Sequence, residues 1–388
     1  MPRVSALLLL VLAAMSAFGP LATDMYLPAF PAIAAGLAAD PAAVQKTLAS
    51  FFAGMAIAQP VFGPLADRFG RRPPLLVGLG IFVLGSVGCA LTQSIGWLML
   101  WRFVQGLGGC AGMVMARAIV RDVSEGPATI RLMSRLMLVV TLAPILAPSL
   151  GGLLLGLGGW RAIFWALVAY GAGLAVVVTA ILPETLPPDR RRRDGPLGII
   201  MVYARMLGSR RFMGLTLSGV LPMAGMFAYI AGSPFVFMEL HRLRPADYGL
   251  LFGANAIGIM AVSQLNAWLS TRQPPERVLL WGLCSMATAG VLLVALAGNG
   301  SFLGVAVPLF VYVASIGMVM PIAAALAMAS QGRTAGSASA LIGTLQFSGG
   351  AVAGGLVGAF YDGTAMPMAI VIALAGTGGL LSRLFLLR

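Results

Sequence analysis

The sequence predicts an all-α polytopic membrane protein with twelve transmembrane helices in two six-helix bundles. Three observations carry that reading. Of 388 residues, 59% are hydrophobic and only 10% are charged, whereas a soluble domain carries about 25% charged residues. Apolar runs long enough to cross a hydrocarbon core of about 30 Å recur from one end of the chain to the other. Charge clusters and Gly/Pro punctuation sort these runs into two sets of six, with the most polar stretch, "PETLPPDRRRRDG", between the sets. Helix is the required conformation, because open strand edges cannot be satisfied in lipid.

The first span is read at about residues 4–34. Arg3 before an apolar core resembles a signal peptide, but the run continues past Asp24 to Leu37 without a small-residue cleavage pattern, which predicts a retained span. Spans two to six follow at about 44–66, 74–93, 97–119, 132–157 and 162–182. The second set lies at about 212–238, 248–270, 278–297, 301–325, 335–360 and 365–384. The expected organisation is therefore an N-terminal bundle (1–183), a cytoplasmic linker (184–211) and a C-terminal bundle (212–388). Two halves of six spans suggest an internal repeat of the kind used by alternating-access transporters. Cys89, Cys110 and Cys284 fall inside spans with no metal-ligand spacing and read as small packing residues.

The net charge of +13 has a topological explanation. With twelve spans, one side collects Arg68, Arg71, Arg72, the run 190–193 and most of the other arginines, including Arg3, Arg333 and Arg388. The other side holds only Lys46, Arg161, Arg242 and Arg244, and Arg102 lies within a span. The positive-inside rule then puts both termini in the cytoplasm. The bilayer accounts for the charge without a nucleic-acid partner. The linker arginines read as a solvated anchor that fixes orientation.

The motifs refine the class. "GPLADRFGRRP", Gly63 to Pro73, supplies glycines for a tight turn, an aspartate suited to a helix N-terminus, and arginines for the inner face. It resembles the signature loop of the major facilitator superfamily, Gly-x-Leu-x-Asp-Arg-x-Gly-Arg-Arg, with every position filled by Gly63, Leu65, Asp67, Arg68, Gly70, Arg71 and Arg72. "RFVQGLGG", from Arg102, resembles the Arg-x-x-Gln-Gly motif of the fourth span. "LAPILAPSLGG" resembles the fifth-span motif of the drug–proton antiporter branch: Pro148, Gly151 and Gly152 are retained, and Ala143 and Ala147 replace two glycines. "TDMYLP", "GWRAIFW" and "LPETL" resemble the bicyclomycin/chloramphenicol-resistance subgroup. In the C-terminal half the equivalent loop, "NAWLSTRQPPERV", is degenerate, with Ser270 where the aspartate would stand. The resemblance implies a major facilitator fold in a bacterial inner membrane, a gating loop at 63–72 and a closely packed fifth span.

Asp24 is the only carboxylate placed deep within a predicted span, where an ionised group costs about 2.5–3.5 kcal/mol. Arg102 lies at matched depth in span four, so the two are expected to neutralise one another, with Asp24 the proton carrier and Arg102 its modulator. Tyr26, Gln105, Asn255 and Gln346 are candidate cavity residues, although interhelical hydrogen bonding is the preferred reading for the amides of the C-terminal half. No zinc pattern, nucleotide-binding loop or nucleophile elbow occurs, so no metal, cofactor or enzymatic activity is expected. The predicted function is proton-coupled efflux of small, mostly apolar molecules by a monomer. An uptake symporter or facilitator on the same fold, and a non-transporting membrane receptor, are the alternatives.

Overall fold

The computed structural model describes residues 6–124, 127–191, 196–331 and 335–386. Arg3, the linker residues 192–195, Arg333 and Arg388 lie outside the described residues. Among the described residues the chain is all helix without strands, and eleven helices are long and apolar enough to cross a membrane. In the N-terminal half these are α1 (Ala6–Asp24), continued by a 3-10 turn (Leu27–Ala29) and α2 (Phe30–Gly36), then α3 (Pro41–Phe69), α4 (Arg72–Leu91), α5 (Ile95–Val123) and α6 (Pro127–Ile181). After α7 (Pro196–Gly208) come α8 (Arg210–Pro234), α9 (Pro245–Leu269), α10 (Pro275–Ala297), α11 (Phe302–Ala329), α12 (Ala335–Ala359) and α13 (Met366–Leu386). A π-helical turn, Phe235–Leu240, extends α8.

Local chemistry sets the boundaries. Ser94, Ser209 and Ser301 cap α5, α8 and α11 by accepting the N–H of Trp97, Phe212 and Gly304, each satisfying one of the orphan donors at a helix start. Pro41, Pro245 and Pro275 open α3, α9 and α10, where a missing N–H costs nothing. At 55 residues, α6 would be about 80 Å long if continuous, far more than one bilayer crossing needs. It is two helices meeting at Gly158 and Gly159, and Gly159 takes φ 69°, a conformation that glycine adopts without steric cost. The break falls in the gap expected between the fifth and sixth spans.

The chain forms two compact units, Met1–Ala39 with Ser50–Asp194, and Asp40–Ala49 with Gly195–Arg388. In the first, α3 and α5 pack backbone to backbone: a Cβ on Gly54 would strike the Phe103 carbonyl, and one on Gly106 the Phe51 carbonyl. Small residues permit this contact where lipid offers helices no hydrophobic drive to associate. In the second, α8 is the most completely buried candidate span. Here α7 was not expected as a helix. It packs Met206 into a buried cluster with Phe212, Leu215, Ala327 and Leu341.

Candidate functional site

The first polar centre forms where α1 stops. The helix ends at Asp24, and Met25 and Tyr26 turn the chain into the 3-10 segment. Asp24 is only 3% exposed. The Thr23 hydroxyl oxygen lies 2.9 Å from Asp24 Oδ1, 2.9 Å from the Gly19 carbonyl and 3.3 Å from that of Pro20.

Arg102 sits in the second turn of α5 with no exposed surface. Its Nη1 donates to the Ala22 carbonyl at 3.1 Å and to Gln105 Oε1. Its guanidinium carbon stands 4.5 Å from the Tyr26 ring centre and 4.4 Å from that of Phe51, with Phe164 at 6.0 Å. Nε and Nη2 have no hydrogen-bond partner among the described residues. Gln105 is fully buried and donates to Ser86 Oγ at 2.7 Å.

The expected Asp24–Arg102 pair is not formed: no ion pair joins the two residues, and aromatic faces take the place of the carboxylate. The reason is local. Because α1 ends at Asp24, the following turn presents the Tyr26 ring to the guanidinium, and desolvated cation–π contacts contribute about 2 kcal/mol. Tyr26 and Gln105 are thus partners of Arg102 in this conformation, each with no exposed surface.

Helix α6 supports this centre. A Cβ on Gly151 would collide with the Met25 carbonyl, whereas one on Gly152 would meet nothing within 4 Å. Pro148 is buried. Close approach was expected at both glycines and occurs at Gly151 alone.

The signature loop builds a second centre, at the ends of α3, α4, α5 and α6. Gly70 adopts φ 91°, and a side chain there would run into the Glu184 carboxylate. Arg71 Nη1 donates to Asp67 at 2.6 Å, and its Nε and Nη2 donate to Asp122 at 2.7 and 3.2 Å. Thr185 Oγ1 adds a bond to Asp122 at 3.0 Å. Burial opposes the Arg71 charge, but the hydrogen bonds to Asp122 and Asp67 outweigh it and raise the guanidinium above its ordinary range. Burial likewise disfavours charge on Glu184, yet backbone N–H groups of Arg71, Leu186 and Arg72, with the Arg191 charge, hold it below the usual carboxylate range. That depressed value adds stability above the ordinary carboxylate range, lost as pH falls through the folded value. Arg68 lies 5.4 Å from the Phe69 ring, Arg72 donates to the Thr179 carbonyl, and Gly63 has open space around it.

These partners were hidden in the sequence. Asp122 and Glu184 stand 51 and 113 residues from Arg71; only the "LPETL" string hinted at the second. The geometry ranks the two aspartates. Asp67→Asn removes one contact from a partly exposed carboxylate and should cost less than about 1 kcal/mol of stability. Asp122→Asn breaks the two-point contact of a largely buried guanidinium and should cost about 1–3 kcal/mol. Thermal unfolding of the two purified variants would reverse this ranking if Asp67 were the principal anchor.

The second unit carries neutral polar groups. Asn255 donates to Tyr229 Oη at 2.9 Å, and Ser233 and Tyr248 share a bond of 2.9 Å. Gln346 lines a small cleft with Thr216, Gly219 and Met320. The structure therefore groups Asp24, Tyr26, Arg102 and Gln105 in one unit, and places Asn255 and Gln346 in the other.

Comparison with known proteins agrees with this architecture. An uncharacterized MFS-type transporter of Bacillus subtilis, YdgK, is 37% identical over 374 residues, covering 95% of this chain and 93% of that one. The bicyclomycin resistance protein homolog of Haemophilus influenzae is 32% identical, covering 93% and 91%. Multidrug resistance protein D of Escherichia coli is 31% identical, covering 89% and 86%. A D-xylose-proton symporter structure superposes with TM-score 0.75 at 17% identity, covering 99% of this chain and 98% of that one, a likeness of fold alone. Residues 9–354 match the profile of the Major Facilitator Superfamily; with its helical architecture and signature loop, the chain belongs to this superfamily of transporters.

Proposed function

We propose that the protein exports small, mostly apolar molecules from the cytoplasm in exchange for protons. It acts as a monomer in the bacterial inner membrane, with both termini cytoplasmic. One observation carries the reading: a carboxylate, Asp24, is buried within the first span and has no cation paired with it among the described residues. A permanently ionised group there would be costly, so a group that gains and loses a proton is the economical occupant. The names of the Haemophilus and Escherichia relatives support a drug-like cargo.

In this reading the Gly158–Gly159 break divides α6 into two crossings, giving twelve. Residues 1–183 and 212–388 form the two bundles of an alternating-access cycle, with 184–211 as linker. Asp24 carries the proton. Arg102, Tyr26 and Gln105 hold the α1 terminus beside it, and Asn255 and Gln346 face the cargo once the path opens. Asp67, Arg68, Gly70, Arg71 and Arg72, with Gly63, set the inner-side gating loop, while Pro148, Gly151 and Gly152 shape the fifth crossing. The proton gradient supplies the energy, and no cofactor takes part.

Proteoliposomes loaded with a compound found in a pump-deficient bacterial screen provide the test. Under an imposed pH gradient, compound and proton fluxes in opposite directions are expected. Flux of both in one direction, or no compound flux, would overturn the reading.

A further inference from the structure

The Thr23 hydroxyl is asked to serve more oxygen atoms than it has hydrogens. It lies 2.9 Å from Asp24 Oδ1 and 2.9 Å from the Gly19 carbonyl, with the Pro20 carbonyl at 3.3 Å. Both shorter contacts fall within the range of O–H···O hydrogen bonds, and each needs a hydrogen between its oxygens. A threonine hydroxyl supplies one. A carbonyl supplies none, and neither does an ionised carboxylate. With Asp24 ionised, one of the two contacts would set lone pair against lone pair in a buried site. With Asp24 protonated, both are satisfied in a chain: Asp24 O–H donates to Thr23 Oγ1, and Thr23 O–H donates to the Gly19 carbonyl.

Among the described residues, no other group relieves this shortage. The charged or titratable residues on elements packed against α1 are Arg102, Cys110, Arg117, Arg121 and Asp122 of α5, Arg131, Arg135, Arg161 and Tyr170 of α6, and Tyr26 at the turn; the side chains of Arg131 and Arg135 lie outside the described ones. None of the described ones forms an ion pair with Asp24. Arg102 directs Nη1 to the Ala22 carbonyl and Gln105, and Tyr170 donates to the Ala14 carbonyl.

We infer that Thr23 is the positioning residue that holds Asp24 in its protonated form in this conformation, and that its hydroxyl hydrogen switches from the Gly19 carbonyl to Asp24 when the proton leaves. This rests on the reading of Asp24 as the proton carrier and goes one step further. On release, the Asp24 O–H bond breaks, its electron pair stays on the carboxylate and the proton passes to water. The Thr23 hydroxyl then rotates to donate to the new anion, and the carbonyl of Gly19 loses its second donor. Threonine bonds of this kind to a preceding carbonyl bend helices, and Pro20 has already removed one backbone N–H from the same turn. That turn also carries the Ala22 carbonyl that holds Arg102, and it precedes the Met25 carbonyl against Gly151. Protonation of one carboxyl is thereby tied to the geometry of the α1 terminus.

Infrared difference spectroscopy of the purified full-length protein across pH tests this directly. A protonated-carboxyl C=O stretch should be present and should vanish in Asp24→Asn, which assigns it. In Thr23→Val the band should move to higher frequency, because the acid has lost its acceptor, and Thr23→Ser should restore it. Thr23→Ala is the second hydroxyl-free variant should valine fail to fold. An unmoved band in the hydroxyl-free variant, or no band assignable to Asp24 in the wild type, overturns the inference. Export by the same variants separates the two ideas. Gradient-driven export retained in Asp24→Asn sinks the proton-carrier reading; intact coupling with an unmoved band in Thr23→Val sinks only the role of Thr23.

Discussion

Asp24→Asn should reduce pH-gradient-driven export by about tenfold or more, equivalent to at least ~1.4 kcal/mol on the coupled step, while folding and insertion persist. The asparagine amide can donate to Thr23 Oγ1 as a protonated Asp24 would, so the contact 2.9 Å away survives in neutral form. Arg102 is not stranded by the change, because its charge is met by Tyr26, Phe51, the Ala22 carbonyl and Gln105. Loss of export therefore reports loss of the exchangeable proton. The measurement is accumulation of a responsive compound in everted vesicles at matched protein level, with and without a pH gradient. Undiminished gradient-driven accumulation by the variant would leave Asp24 as a turn residue and put the coupling elsewhere.

The same geometry changes what Arg102→Met should do. Had the guanidinium paired with Asp24, its removal would act first on the carboxyl. In the structure it would act first on local contacts, since a thioether has no charge to set against the Tyr26 and Phe51 rings and no donor for the Ala22 carbonyl and Gln105. The expected primary effect is lower stability.

How much of this was legible depended on the range of the signal. Apolar runs and their Gly/Pro boundaries are local, so helix limits such as Arg72–Leu91, Pro275–Ala297 and Met366–Leu386 fall within a few residues of expectation. The paired glycines 158 and 159 were legible as a break for the same reason. Helix α7 was not: its neighbouring prolines and arginines read as solvated linker, and nothing local signalled that Met206 would pack against Phe212 and Leu341. The Arg71–Asp122 contact spans 51 residues, and one sequence carries no periodicity that pairs distant charges. The Asp24–Arg102 expectation failed over a distance of two residues. Depth along a span was readable, but the azimuth of a side chain at a helix end is set by where the helix stops. There the structure puts Tyr26 against the guanidinium.

Gly151→Leu should be the most damaging change in the antiporter-type helix, and Gly152→Leu next to it should be tolerated. At position 151 even a Cβ overlaps the Met25 carbonyl, a backbone atom that no rotamer change can move aside. Overpacking of this kind costs about 1–3 kcal/mol or more. Here it would also push directly on the turn that follows Asp24. At 152 a Cβ meets nothing within 4 Å. Leu153 is 60% exposed, so Leu153→Ala should stay within about 0.5 kcal/mol of the parent. The predicted order of harm is therefore 151 far above 152 and 153, both in the fraction of protein surviving a heating step in detergent and in vesicle export. A Gly151→Ala variant refines the argument: alanine already carries the offending Cβ, so it should lose most of the export that leucine loses. Equal tolerance at 151 and 152 would mean that this face of α6 points to lipid and that the α1 terminus moves independently of it.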